Sequence, residues 1–258
     1  MIDAQENGEL YDQTAFSDRV RSAVSEVVIQ QVDAGVDIVS DGEQSKPSFA
    51  TYVKNRLSGL DGQNDIPRIF ADRQEFSGWN SSQNLAPSRL AAPIRPTCNG
   101  PLGWNDRSAV DADIANLQSA VQNVQVEDAF IPSASLGIIA EIMLNEYYPT
   151  EEAYLYALAD VMKEEYRAIT DAGFILQLDA PDAAMGRHAQ FWDKPLEDFR
   201  SATALRSEER REGKSVGLGG RRIIKKKTTW SRRRSAHAVQ QSSMLRRDAD
   251  TAASCSSP

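Results

Sequence analysis

The sequence predicts an α/β fold, a parallel sheet with helices outside it, and two observations carry that prediction. Helical apolar spacing alternates with short β-branched runs along the chain. The order helix, Asp-Ala-Gly, strand, acid occurs twice, at Asp33-Ala34-Gly35 and again at Asp171-Ala172-Gly173. Parallel strands need crossovers, and helical crossovers cover the sheet. About 200 residues follow this grammar, fewer than the roughly 250 of a closed eight-stranded barrel.

The first unit is a helix from about Ser17 to Ala34, with Ser17 as N-cap and Asp18 in the first turn. Val20, Val24, Val27 and Val28 make one apolar stripe, and Gly35 ends it. Val36-Asp37-Ile38-Val39-Ser40 is then a buried strand. Residues 60–95, with Trp79, are rich in Gly, Pro, Asn and Ser and read as an irregular excursion. A strand is expected over Thr97 to Trp104, a helix over Asp106 to Val124, a strand over Ala129 to Ser133, and a helix through Ile138 to Met143. Thr150 caps a helix that runs through Leu155, Leu158, Met162, Tyr166 and Ile169 to Gly173. Phe174-Ile175-Leu176-Gln177-Leu178 is the closing strand, followed by Asp179.

The chain has 258 residues, 41% of them hydrophobic and 26% charged, and a net charge of −8. That charge is unevenly spread. Residues 1–205 hold 15 basic and 32 acidic residues, a net of −17; residues 206–258 hold 14 and 5, a net of +9. The acidic part argues against nucleic acid or an anionic membrane as partner. No apolar run approaches the ~18 residues of a membrane span, and the start lacks the basic and apolar stretches of a signal peptide. Cys98 and Cys255 are too far apart for a ligand pair. A cytoplasmic protein is expected, with Cys98 a buried, inert thiol.

In parallel α/β folds the ligand site lies beyond the carboxyl ends of the strands. Glu43 and Asp179 fall there. Carboxylates so placed hold an ammonium group, orient a polar substrate or take a proton; the bland alternative is helix capping or loop solvation. Asp41 and Asp182 fit the bland alternative. Asn145-Glu146-Tyr147-Tyr148-Pro149 lines a pocket with aromatic faces or simply packs, and His188 stands at no metal spacing. No phosphate-cradling loop and no nucleophile elbow follows a credible strand.

The stretch Gln31-Val32-Asp33-Ala34-Gly35-Val36-Asp37-Ile38-Val39-Ser40-Asp41-Gly42-Glu43-Gln44 resembles the second barrel strand of the cobalamin-independent methionine synthase family. Ala172-Gly173-Phe174-Ile175-Leu176-Gln177-Leu178-Asp179-Ala180-Pro181 resembles its fifth. Tyr147-Tyr148-Pro149-Thr150-Glu151-Glu152-Ala153-Tyr154 and Lys163-Glu164-Glu165-Tyr166 are similar to its short, single-barrel relatives. The resemblance implies a partial TIM (β/α)8 barrel, roughly strands 2–5. It implies zinc-dependent transfer of a methyl group from a methylated folate to homocysteine, forming methionine. Zinc holds the substrate as thiolate, the nucleophilic form. By resemblance Glu43 binds homocysteine, Asp179 its amino group, and Tyr147 or Tyr148 the folate. Met185 stands where the synthases carry a folate-contacting glutamate. The alternative is an alkyltransferase to another thiol, of the epoxyalkane–coenzyme M transferase kind.

The family's His-x-Cys zinc motif does not occur after Arg200, and its Gly-Ser first strand does not occur either. The expectation is therefore a fragment truncated at both ends, without the zinc ligands and inactive alone. Two segments follow: a partial barrel over 1–205 and a basic, low-order tail over 206–258. From Arg206 through Lys214-Ser215-Val216 to Lys225-Lys226-Lys227 the tail resembles a translated sequencing adapter running into poly-A. The tail reads as an artefact. A real tail that binds nucleic acid is the non-enzyme alternative.

Overall fold

A computed structural model describes residues 10–49, 51–64, 70–76 and 95–211. They fall in the first of two compact units, Met1–Leu218. The second unit, Gly219–Pro258, lies outside them, as do Trp79, Cys255 and most of the expected tail.

The described helices are α1 (Gln13–Asp33), α2 (Val53–Arg56), α3 (Ala71–Glu75), α4 (Ser108–Val121), α5 (Leu136–Ile142), α6 (Glu151–Asp171), α7 (Asp182–Met185) and α8 (Leu196–Arg211). The strands are β1 (Ile38–Ser40), β2 (Leu57–Ser58), β3 (Gly62–Asn64), β4 (Arg95–Cys98), β5 (Gly103–Trp104), β6 (Asp128–Ala134), β7 (Leu144–Asn145) and β8 (Ile175–Asp179). The main sheet is parallel, in the order β1-β6-β8. This is a mixed α/β architecture.

The repeated Asp-Ala-Gly has a structural cause. After α1, the Gly35 N–H donates to the Val32 carbonyl and the Val36 N–H to that of Gln31, both at 2.9 Å. After α6, Gly173 and Phe174 repeat the pattern onto Thr170 and Ile169. Both are Schellman ends, with the glycines at φ 80° and 90°. Each turns the chain from helix into a parallel strand.

The start of α1 differs from expectation. Its cap is Asp12, whose Oδ1 accepts the Ala15 N–H at 2.9 Å, and Ser17 lies inside the helix. The Ser17 hydroxyl donates to the Gln13 carbonyl one turn back, the use serine finds when it is not a cap. Thr150 does cap α6, accepting from the Ala153 N–H at 3.0 Å.

Val20, Val24 and Val28 of α1 pack with Leu117 of α4 and Ile169 of α6 onto Val39, Ala129 and Ile131 of the sheet. Each buried valine contributes about 1.5–3 kcal/mol of transfer free energy. A second core gathers Tyr52, Leu57, Ile139, Met143, Leu155, Leu158, Met162 and Tyr166 around α5 and α6. Strand alternation turns Ile38, Phe130 and Ile175 to the opposite face, where Ile38 is exposed and the other two are partly so.

The expected strand over Thr97 to Trp104 is two short strands, and neither joins the main sheet. β4 pairs with β3 and β7, and β5 pairs antiparallel with β2. Pro101 lies between them and has no N–H for a ladder, so the run is broken there. Among the described residues the main sheet therefore has three parallel strands where four strand–helix units were expected. Helix α8 continues past residue 205. Its Arg206 is buried, donating to Gln190 Oε1 at 2.8 Å and ion-paired with Glu151 at 3.5 Å and Asp182 at 3.7 Å.

Candidate functional site

The carboxyl ends of the parallel strands β1, β6 and β8 lie toward the same edge of the sheet, with β1 ending first. Ser40, the last residue of β1, pairs with Phe130, and Asp179, the last of β8, pairs with Ala134. The turn after β1 carries Asp41, Gly42 and Glu43. It is held by the Glu43 N–H donating to Asp41 Oδ1 at 3.0 Å and the Lys46 N–H donating to the Glu43 carbonyl at 2.9 Å. Glu43 sits at φ 55°, left-handed territory that costs a non-glycine residue of order 1 kcal/mol. Strain of that kind persists where the surroundings over-determine it.

The two acids singled out from sequence meet. Glu43 and Asp179 share a side-chain hydrogen bond across the ends of β1 and β8. Gln177 lies on the same face as Asp179 and donates its Nε2 to Asp179 Oδ1 at 2.7 Å. Burial first, and then the negative charges of Asp179 and Asp41, lift the Glu43 carboxyl above its ordinary 4.5; Lys46 opposes the lift. The negative charge of Asp179 disfavours the ionised form of Glu43. The arrangement can share a proton, or exchange it for a cation that offers several donors.

Asp41 and Asp182, expected to cap helices or to be solvated in loops, are both buried, and Asp41 accepts the N–H of its own turn. Asp41 is 2% exposed, and burial raises its carboxyl above 3.8, again against Lys46. Asp182 is 1% exposed. Its Oδ1 accepts from the Ser135 hydroxyl at 3.2 Å, and its Oδ2 lies so close to Gly137 that a Cβ there would overlap it.

Tyr147 and Tyr148 form a separate cluster on the loop after β7. Tyr147 is 51% exposed. The Tyr148 hydroxyl accepts from the Leu102 N–H at 3.0 Å, and its ring stacks on Tyr154 at 5.8 Å. Met185 and His188 are exposed, and the His188 carbonyl accepts from the Ala71 N–H. Cys98 is buried as expected, and burial pushes its thiol up from 9.0. A thiol held protonated is a poor ligand. Among the described residues no three His, Cys, Asp or Glu side chains converge as a metal site, so the zinc implied by resemblance finds no ligand set among them.

Sequence reading missed a buried polar web behind the strand ends. Arg56 donates to Glu165 Oε2 at 2.9 Å and to Asp113 Oδ2 at 2.6 Å. Glu165 Oε1 accepts from Tyr52 at 2.6 Å and from Ser133 at 2.7 Å. Lys46, 8% exposed, donates to the Pro132 carbonyl. A cavity of about 380 Å³ opens elsewhere, between α4 and α6, lined by Arg107, Asp111, Glu164 and Arg167. It contains none of the strand-end residues, and Arg107 pairs there with Asp111 and Glu164, so it is read as a solvated groove. No described helix is long and apolar enough to cross a membrane.

No family model matches the chain. A methionine synthase from Sulfolobus acidocaldarius is 26% identical over 169 residues, 65% of this chain and 42% of the relative. One from Pyrococcus furiosus is 26% identical over 167 residues, 64% of this chain and 43% of the relative. One from Thermococcus kodakarensis is 24% identical over 182 residues, 70% and 47% respectively. The chain thus spans less than half the length of these curated relatives. The solved structure of a B12-independent methionine synthase from a Shewanella species, in complex with selenomethionine, is similar at 23% identity and a TM-score of 0.47, over 64% of this chain and 42% of that one. Over about two thirds of its residues, the chain is similar to methionine synthases.

Proposed function

We propose that the chain is part of a methyltransferase of the methionine synthase type, and that Glu43 and Asp179 bind the ammonium group of its amino-acid substrate. The parent reaction moves a methyl group from a methylated folate to homocysteine and yields methionine. The observation that carries the reading is the carboxyl pair shared across the ends of β1 and β8. An ammonium has three donors and one positive charge; it replaces the shared proton and relieves the repulsion between the two acids.

The three-stranded parallel sheet is read as an arc of a TIM barrel. The face bearing Ile38, Phe130 and Ile175 would turn inward in the closed form. Zinc, where the parent enzyme uses it, would draw ligands from outside the described residues. Tyr147 offers an open aromatic face to a folate-type donor, while Tyr148 fixes the loop beneath it.

The same pair argues against the coenzyme M alternative. That thiol carries a sulfonate and no ammonium, and two carboxyls would repel it. Calorimetry of the 258-residue chain separates the readings. L-Methionine and L-homocysteine should bind, and 4-mercaptobutanoate, which lacks the amino group, should bind about 10-fold or more weaker, the worth of a charge-assisted hydrogen bond. Glu43→Gln and Asp179→Asn should each lose that preference. Equal binding of the amino and des-amino ligands, or tighter binding of coenzyme M, would overturn the proposal.

A further inference from the structure

Lys46 is the buried cation next to the carboxyl pair, and neither the ammonium reading nor the core requires it in an obvious way. Its main chain closes the turn that carries Glu43, through the N–H donated to the Glu43 carbonyl at 2.9 Å. Its side chain then crosses to the central strand and donates to the Pro132 carbonyl, with its nitrogen 4.9 Å from the centre of the Tyr52 ring.

The place of Pro132 explains the reach. β1 ends opposite Phe130, so Pro132 lies beyond the last β1–β6 pair. A proline in a central strand is tolerated where no neighbour needs its N–H. On its other side Pro132 pairs with Gln177, the residue that donates to Asp179. One lysine thus ties the Glu43 turn to the strand that borders Asp179. The charged and titratable groups around it are Asp41 and Glu43 on its own turn, Glu165 on α6, Arg56 and Tyr52 at α2, Asp113 on α4, and Asp179 on β8.

We propose that Lys46 is the positioning residue of the carboxyl pair: anchored on the Pro132 carbonyl, its ammonium holds the Glu43 turn over the end of β6 and balances the acids gathered there. Without that charge, Asp41, Glu43 and Asp179 would crowd together facing no nearby cation of their own turn. The proton on the pair would then be held more tightly, and a ligand ammonium would have to displace it at greater cost. The effect on ligand binding rests on the ammonium reading above; the effect on Glu43 titration does not.

The test is a carbon-13 carboxyl NMR titration of Glu43 in the full 258-residue chain, with three variants. Lys46→Met removes charge and donor, Lys46→Gln keeps a donor for Pro132 without charge, and Lys46→Arg keeps the charge. The Glu43 midpoint should rise by about 1 pH unit in the Met and Gln variants, as expected for loss of a close opposite charge, and return toward the parent value in Lys46→Arg. Should the Met variant fail to fold by circular dichroism, the Gln variant carries the comparison. A midpoint that moves by less than ~0.2 unit in a folded Gln variant, or a rise that Arg does not reverse, would sink the proposal. L-Methionine binding is measured in parallel. A moved midpoint with no methionine binding by the parent chain supports Lys46 in this role and sinks the ammonium reading instead.

Discussion

Glu165 and Glu43 are two glutamates that feel the same lysine, and burial leaves them in opposite states. Glu165 is 1% exposed and takes the heavier desolvation, yet its carboxyl is held below the ordinary 4.5. Arg56, Lys46, Tyr52 and Ser133 outweigh the burial there. Glu43 is only partly buried, yet its carboxyl is raised, by that burial first and then by the two further acids that face it, with Lys46 too little to offset them. Depth alone does not decide the state of an acid; the tally of donors and charges around it does. The helix-side web is satisfied and reads as structure. The strand-end pair keeps a raised carboxyl even with Lys46 opposing the lift, and reads as a place for a ligand.

Removing Arg56 should break this contrast most strongly. Arg56→Met leaves Glu165 and Asp113 buried without their shared cation, at a cost of about 3–5 kcal/mol. Urea denaturation followed by circular dichroism should show that loss. A loss below ~1 kcal/mol would mean that water reaches the web and that it is not the satisfied cluster described.

Asp182 sharpens the comparison from a third position. It is as buried as Glu165 and is ion-paired with Arg206, but among the described residues its Oδ2 accepts no hydrogen bond, and it presses against Gly137. Gly137→Ala places a methyl against that oxygen and within 3.0 Å of Arg206 Cδ. About 1–3 kcal/mol of stability should be lost, the usual cost of overpacking. A neutral Gly137→Ala in the same denaturation assay would show that Asp182 and α8 can shift freely.

Residue by residue, what was legible from sequence follows from locality. Gly35 and Gly173 announced their turns because a Schellman end is decided within six residues. Glu43 and Asp179 were legible because a strand followed by an acid places that acid at the sheet's carboxyl edge. The web was not legible: Arg56 lies 109 residues from Glu165 and 57 from Asp113. Glu165 sits in Lys163-Glu164-Glu165, which by itself looks like a solvated helix face. The burial of Lys46 depends on where β1 ends, and Thr97 to Trp104 departs from a single strand because Pro101 interrupts it. The sequence around Asp41 and Asp182 fits capping or solvation equally well, because a short turn does not reveal that its acid is buried.

The two states also predict a pH profile for stability. The Glu165 carboxyl is lowered in the folded chain, so its stabilisation is complete above about 4.5 and is lost as pH falls through the folded value. Glu43 and Asp41 are raised, so the folded chain binds their protons more tightly than the unfolded chain does. On that account stability should rise as pH falls from neutrality through their folded values, then drop below about 4.5 as Glu165 protonates. Thermal melting in steps of pH reads this directly. A monotonic fall from neutrality would show that the strand-end acids ionise without penalty.

The smallest expected effect bears most directly on function. Glu43→Gln removes a charge that the folded chain accommodates poorly, and keeps the side chain's size and its capacity to hydrogen-bond Asp179. At neutral pH stability should hold or improve, by less than about 1 kcal/mol, since the group is partly solvent-exposed and screened. Amino-acid binding should fall in the same variant. A residue held for structure would show the opposite pairing, with stability lost and binding little changed, and Glu165→Gln is the control that should behave that way. If both glutamines destabilise alike, the contrast between the two clusters collapses and Glu43 belongs with the core. If only Glu165→Gln does, the strained φ of 55° at Glu43 is kept for what the carboxyl binds and not for what it stabilises.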